Sequence, residues 1–137
     1  MEEIIFRTYP LIILKNKIGQ FTALITTSIL FGLYHLAFGW GITGFISTSI
    51  WGLAFGLLAI YSNGISMSTG FHASGNLVQL ALGTTGSSYS IWNTAYKNGQ
   101  QVKNFPASES TIIVAQLILL LFILLFMKWV FKKTNYR

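Results

Sequence analysis

Three groups of residues in this chain have the types and spacing for chemistry: Glu2-Glu3 with Arg7, Phe31 with His35, and His72 with Asn76. His72 and Asn76 are four apart in the stretch Gly70-Phe71-His72-Ala73-Ser74-Gly75-Asn76. On a helix both side chains therefore leave the same face, one turn apart. The surrounding run, Ile65 to Leu82, is free of Asp, Glu, Lys and Arg. An imidazole and an amide in such a run are costly to leave unpaired. They are either a functional site or a polar contact that ties one helix to its neighbour. Glu3 and Arg7 are also four apart, a natural intrahelical pair; the plainer reading is a solvated acidic start followed by one orienting cation. A carboxylate able to take a proton from water, with donors able to hold an oxyanion, is what hydrolysis of an acyl bond requires.

Composition decides the medium. Of 137 residues 9% are charged, against roughly 25% in soluble domains, and 53% are hydrophobic. The acidic residues number three, Glu2, Glu3 and Glu109. A chain so poor in charge and so rich in long apolar runs belongs in a bilayer. The net charge of +6 comes from basic residues placed beside apolar runs, a pattern of membrane orientation rather than nucleic-acid binding, since no basic stripe with interleaved aromatics is present. The chain has no cysteine, which removes disulfides and thiolate chemistry. Met1-Glu2-Glu3 lacks the positive start of a signal peptide.

These residues need helices to position them. The expected fold is all-α: a polytopic membrane bundle of about four transmembrane helices preceded by an amphipathic segment, in a single domain over residues 1–137. Glu2 to Tyr9 reads as a helix end, interrupted at Pro10, which lacks a donor and clashes with the preceding turn. A segment lying along the interface up to Lys17 follows. Gln20 to Phe38 can span, and His35 is its one group that titrates near neutral pH. Gly39-Trp40-Gly41 reads as a turn with an interfacial aromatic. Ile42 to Tyr61 is a second span whose Gly44, Ser47, Ser49, Gly52 and Gly56 predict close packing. Ser62-Asn63-Gly64 is a turn, and the His72 helix is the third span, ending near Gly83. Thr84 to Ser110 reads as a long polar loop with a short helix near Ile91 to Tyr96. Thr111 to Phe131 is the last span.

Lys15 and Lys17 precede the first span, and Lys128, Lys132, Lys133 and Arg137 close the last. With four spans, the positive-inside rule places both termini in the cytoplasm, in the plasma or inner membrane if the source is bacterial. His72 then lies in the inner half of its helix and His35 near the outer end of its own. A wet cavity beside the Gly39–Gly41 turn is expected to bring them together.

In order, the fragments are Glu2-Glu3-x-x-x-Arg7, Phe31-x-x-x-His35 and His72-x-x-x-Asn76. This resembles the CPBP family (ABI, CAAX protease and bacteriocin-processing) of intramembrane proteases, which includes the type II CAAX prenyl endopeptidases. Each fragment alone is weak; three in order on charge-free helices are specific. The resemblance implies an intramembrane endopeptidase acting on a membrane-associated peptide or a lipidated protein, prenylated or of bacteriocin type. It implies catalytic roles for Glu2, His35, His72 and Asn76. Glu2 would be the base and His35 would help hold the water. His72 and Asn76 would donate to the oxyanion, while Glu3, Arg7 and Phe31 support them.

No cofactor is required on that reading, and membrane lipid is the expected surrounding partner. The alternative is zinc held by Glu2, His35 and His72. Against it, the chain has no H-E-x-x-H, and an amide is a poor zinc ligand. Family members normally carry several spans before the E-E-x-x-x-R, which implies that this chain is the C-terminal part of a longer protein or a truncated copy. A non-enzymatic alternative is an inactive membrane scaffold or immunity protein that acts by binding.

Overall fold

A computed structural model describes residues 1–81 and 109–134. All regular structure among them is helical. Glu2 and Glu3 open a helix that passes through a π-helical segment, Ile4–Thr8, and continues without a break into α1, Tyr9–Ile18. After it come α2 (Gln20–Ala37), α3 (Gly41–Ser62), α4 (Ser66–Ala81) and α5 (Glu109–Thr134). The break expected at Pro10 is absent. Pro10 falls in the first turn of α1, directly after the widened i→i+5 segment. That first-turn position is one that proline tolerates, its φ already being helical. The expected loop from Thr84 lies outside the described residues, except that Glu109 and Ser110 already belong to α5.

The turns are set by backbone chemistry. Gly19 (φ 83°) ends α1, and Gly39 (φ 87°) and Gly41 (φ 70°) frame Trp40 between α2 and α3. Such angles are open to glycine and strained for other residues. Asn63 closes α3 in the left-handed region at φ 51°. The amides of Asn63 and Gly64 return to the carbonyls of Ile60 (3.3 Å) and Ala59 (3.0 Å), which satisfies carbonyls that the helix end would leave open.

α2 and α3 pack most closely, and small residues make that possible. A Cβ placed on Gly52 would stand 3.1 Å from Ser28 Cα, and one on Gly32 would stand 2.8 Å from the Phe45 carbonyl oxygen. The hydroxyls on this interface are satisfied within their own helices: Ser28 donates to Leu24 O (2.7 Å), Thr48 to Gly44 O (2.7 Å) and Ser49 to Phe45 O (2.7 Å). They therefore enter an apolar contact without an orphaned group. Leu24, Leu57, Ile60, Ile123 and Val130 form one buried cluster with Leu11. Phe6, Phe31 and Phe55 form a second beneath the polar site.

α2 and α3 are long and apolar enough to cross a membrane, yet only 39% and 33% of their spanning windows are buried. The core helix of a soluble domain would hide most of its face. Here Ile29, Leu30, Leu33, Ile42 and Ile46 point outward, which suits a lipid-facing girdle. α5 contains a shorter apolar stretch, Val114–Val130, and α4 is described over 16 residues. Among the described residues the count of clear spans is therefore two rather than the expected four.

Candidate active site

The first helix, α2, α3 and α4 converge around one imidazole. His72, on α4, places Nδ1 3.0 Å from Glu3 Oε1 and Nε2 3.7 Å from Glu2 Oε2. Glu3 is in turn ion-paired with Arg7, Nε to Oε2, at 3.7 Å. A carboxylate held beside a guanidinium only accepts, so His72 Nδ1 carries the hydrogen and donates it to Glu3. Nε2 then faces Glu2. The two carboxylates differ in access: the Glu2 side chain is 32% exposed and that of Glu3 is 5% exposed. Glu2 can meet water or a substrate, whereas Glu3 is a buried anchor for the ring.

Arg7 is buried in its own right. Nη2 donates to the Gly52 carbonyl at 2.9 Å, and Cζ stands 5.3 Å over the Phe31 ring. That carbonyl is reachable because Gly52 has no side chain and sits where α2 and α3 touch. Glu3 Oε2, Arg7 Nε and Arg7 Nη1 have no hydrogen-bond partner among the described residues. Charge, rather than a fork of hydrogen bonds, joins the pair. Arg7 lies within the π-helical segment and Glu3 directly before it. Wide turns of this kind recur at functional sites.

His35, on α2, donates from Nδ1 to the Phe31 carbonyl one turn earlier, at 2.9 Å, which leaves Nε2 as an acceptor in the neutral ring. Phe31 lies between the two histidines, 4.6 Å from the His35 ring and 6.1 Å from the His72 ring, edge-on to both. Trp40 packs edge-on against His35 at 4.9 Å. Asn76 follows His72 by one turn of α4 and is exposed. Glu2, Glu3, Arg7 and His72 are thus brought into direct contact. His35 joins them through Phe31, and Asn76 stands at the rim.

A cavity of about 350 Å³ runs from Arg7 along Leu11 and Ile12 to Lys15, Asn63 and Ile65, and neither histidine lines it. Phe31, not an opening at Gly39–Gly41, is what joins His35 to His72. For zinc, the tautomers leave both Nε2 atoms unprotonated, as ligation requires. Among the described residues, however, no three His, Asp or Glu side chains stand close enough to share an ion. Glu2, His35 and His72 do not come together as such a group in this arrangement.

Two contacts of the site were invisible in the sequence. Glu3 was expected to pair with Arg7 in support of the site, and its bond to His72, 69 positions away, was not read. Phe55 carried no signal at all among the apolar residues of α3, and its ring lies flat on the His72 imidazole.

The sequence model of one family, type II CAAX prenyl endopeptidase Rce1-like, matches residues 1–78 of this chain. The matched stretch contains every residue of the site. No curated protein and no solved structure matches the chain.

Proposed function

This chain belongs to the type II CAAX prenyl endopeptidase Rce1-like family, and from that premise we propose that it hydrolyses a peptide bond in a lipidated or membrane-associated substrate, with Glu2 as the base. The family is one of membrane-embedded proteases, and the two apolar helices agree with that setting. The observation that carries the reading is the clamp on His72, with Glu3 on Nδ1 at 3.0 Å and the exposed Glu2 carboxylate 3.7 Å from Nε2.

In the proposed reaction a water donates a proton to Glu2 as its oxygen bonds to the scissile carbonyl carbon. The carbonyl oxygen becomes an oxyanion. His72, neutral at rest, takes up a proton at Nε2 from solvent as the substrate enters and donates it to the oxyanion while Nδ1–H stays on Glu3, and the Asn76 amide supplies a second donor from the same helix face. His35 Nε2 accepts from the attacking water and helps orient it. When the C–N bond breaks, Glu2 returns its proton to the departing amine. Glu3 and Arg7 hold the ring and the helix; neither touches the substrate. No step passes through a metal. The basic residues at Lys15, Lys17 and Lys132 support an orientation with both termini on the cytoplasmic side.

The test is cleavage of a farnesylated peptide ending in a CAAX sequence by the chain reconstituted in liposomes. Glu2→Gln should abolish cleavage without altering helical content. Cleavage by Glu2→Gln at the wild-type rate would remove Glu2 as base, and binding of the peptide without any cleavage by the wild type would replace the protease with a scaffold.

A further inference from the structure

We infer that Phe55 is a positioning residue for His72: its ring fixes the plane of the imidazole, so that Nε2 can point only toward Glu2. The inference rests on the protease reading for its catalytic consequence, though not for the geometry.

One hydrogen bond does not define a ring. The bond from His72 Nδ1 to Glu3 at 3.0 Å restrains rotation about Cβ–Cγ only softly, because a hydrogen bond tolerates roughly 30° off linear and that torsion is broad in histidine. Phe55 lies 4.6 Å from the His72 ring, centroid to centroid, with only 12° between the planes. Face-on contact blocks rotation out of that plane. Phe31 closes the arrangement edge-on to the same imidazole, at 6.1 Å and 83°. With the plane set by Phe55 and one edge set by Glu3, Nε2 has a single direction, toward the Glu2 carboxylate.

Phe55 is itself held. It is 6% exposed. Trp51 stacks on it at 5.8 Å and 25°, and Phe31 meets it edge-on at 6.3 Å and 86°. It stands one helical turn after Gly52, whose carbonyl binds Arg7, so α3 supports both the ring and the buried pair that anchors Glu3. A catalytic group misplaced by an ångström loses on the order of a hundredfold in rate, which is the scale on which such a support acts.

The chain has two histidines, so protein labelled with ¹⁵N-histidine gives two imidazole spectra, assigned with His35→Gln. In the wild type His72 should show a single Nδ1–H tautomer, with ring protons shifted upfield by the Phe55 face. Phe55→Leu should lose that shift and mix the tautomers. On the farnesylated peptide its kcat should fall roughly ten- to a hundredfold with KM nearly unchanged. Phe55→Tyr keeps a ring and should restore both. Phe55→Met serves in place of Leu if that variant does not fold. A Leu or Met variant whose His72 keeps the single Nδ1–H tautomer would overturn the inference, whereas a wild type that cleaves nothing while the spectra change as expected would overturn only the protease reading.

Discussion

Replacing Arg7 with Met keeps an unbranched side chain in place and removes the charge that faces Glu3. The structure sets the size of the effect. Glu3 would be left with a side chain 5% exposed and His72 as its remaining ionisable partner among the described residues. Arg7 would lose a charged hydrogen bond to Gly52 O at 2.9 Å, about 1.5–3 kcal/mol, and a contact with the Phe31 ring worth up to about 2 kcal/mol when desolvated. Removing one member of a buried ion pair typically costs about 3–5 kcal/mol. A denatured chain in detergent also finds partners for its polar groups, so the lower end is expected, near ~3 kcal/mol. Glu3→Gln should cost a similar amount, because it strands Arg7. The double variant, Glu3→Gln with Arg7→Met, strands neither charge and should fall short of the sum by about 2–3 kcal/mol. The assay is reversible unfolding in mixed micelles, titrated with a denaturing detergent and followed by circular dichroism. A loss under ~1 kcal/mol for Arg7→Met, or singles that add within about 0.5 kcal/mol, would refute the view that Glu3 and Arg7 are mutually compensating buried charges.

The helix contacts make further predictions. Gly52→Ala brings a methyl to 3.1 Å from Ser28 Cα and 3.2 Å from Ser28 O. It should destabilise the chain by about 1–3 kcal/mol in the same titration, as overpacking does. Asn63→Ala places alanine at φ 51° and should cost about 1–2 kcal/mol, while Asn63→Gly should be neutral or stabilising. Cleavage of the farnesylated peptide should survive dialysis against a strong chelator; activity lost to chelation and restored by zinc would place a metal in the reaction.

How much of this was legible in the sequence depends on the range of the interaction. Helix periodicity and glycine punctuation fixed α2, α3 and the turns at Gly39–Gly41 and Ser62–Gly64, because both signals are local. The pairing of Glu3 with Arg7 was readable for the same reason: four residues on a helix is a short-range fact. Pro10 misled, because its effect depends on whether it enters a helix interior or a first turn, and the preceding π-helical segment leaves no mark in the residue types. The contacts of Glu3 with His72, Arg7 with Gly52 and Phe55 with His72 join separate helices. Each depends on how far one helix is rotated against another, which small residues such as Gly32 and Gly52 determine by how closely they let backbones approach. A lone Phe among Gly, Leu and Ala gives no hint that it faces an imidazole. Residue types and spacing could therefore single out Glu2, Glu3, Arg7 and His72, while the contacts between their helices could not be read.

The bond from Arg7 to the Gly52 carbonyl also bears on how the chain is made. Its acceptor is synthesised 45 residues after the donor, and His72, which holds Glu3, comes 69 residues after that carboxylate. At ribosomal speeds of about 5–20 residues per second, the 69-residue interval lasts roughly 3–14 seconds. An arginine at the centre of a lone helix opposes insertion by about 2.5–3.5 kcal/mol. During that interval Glu3 and Arg7 have only each other, so the segment that carries them is held at the bilayer surface or beside the insertion machinery. It settles into place only once its later neighbours are threaded, which makes the docking of Glu3 on His72 a late step of biogenesis.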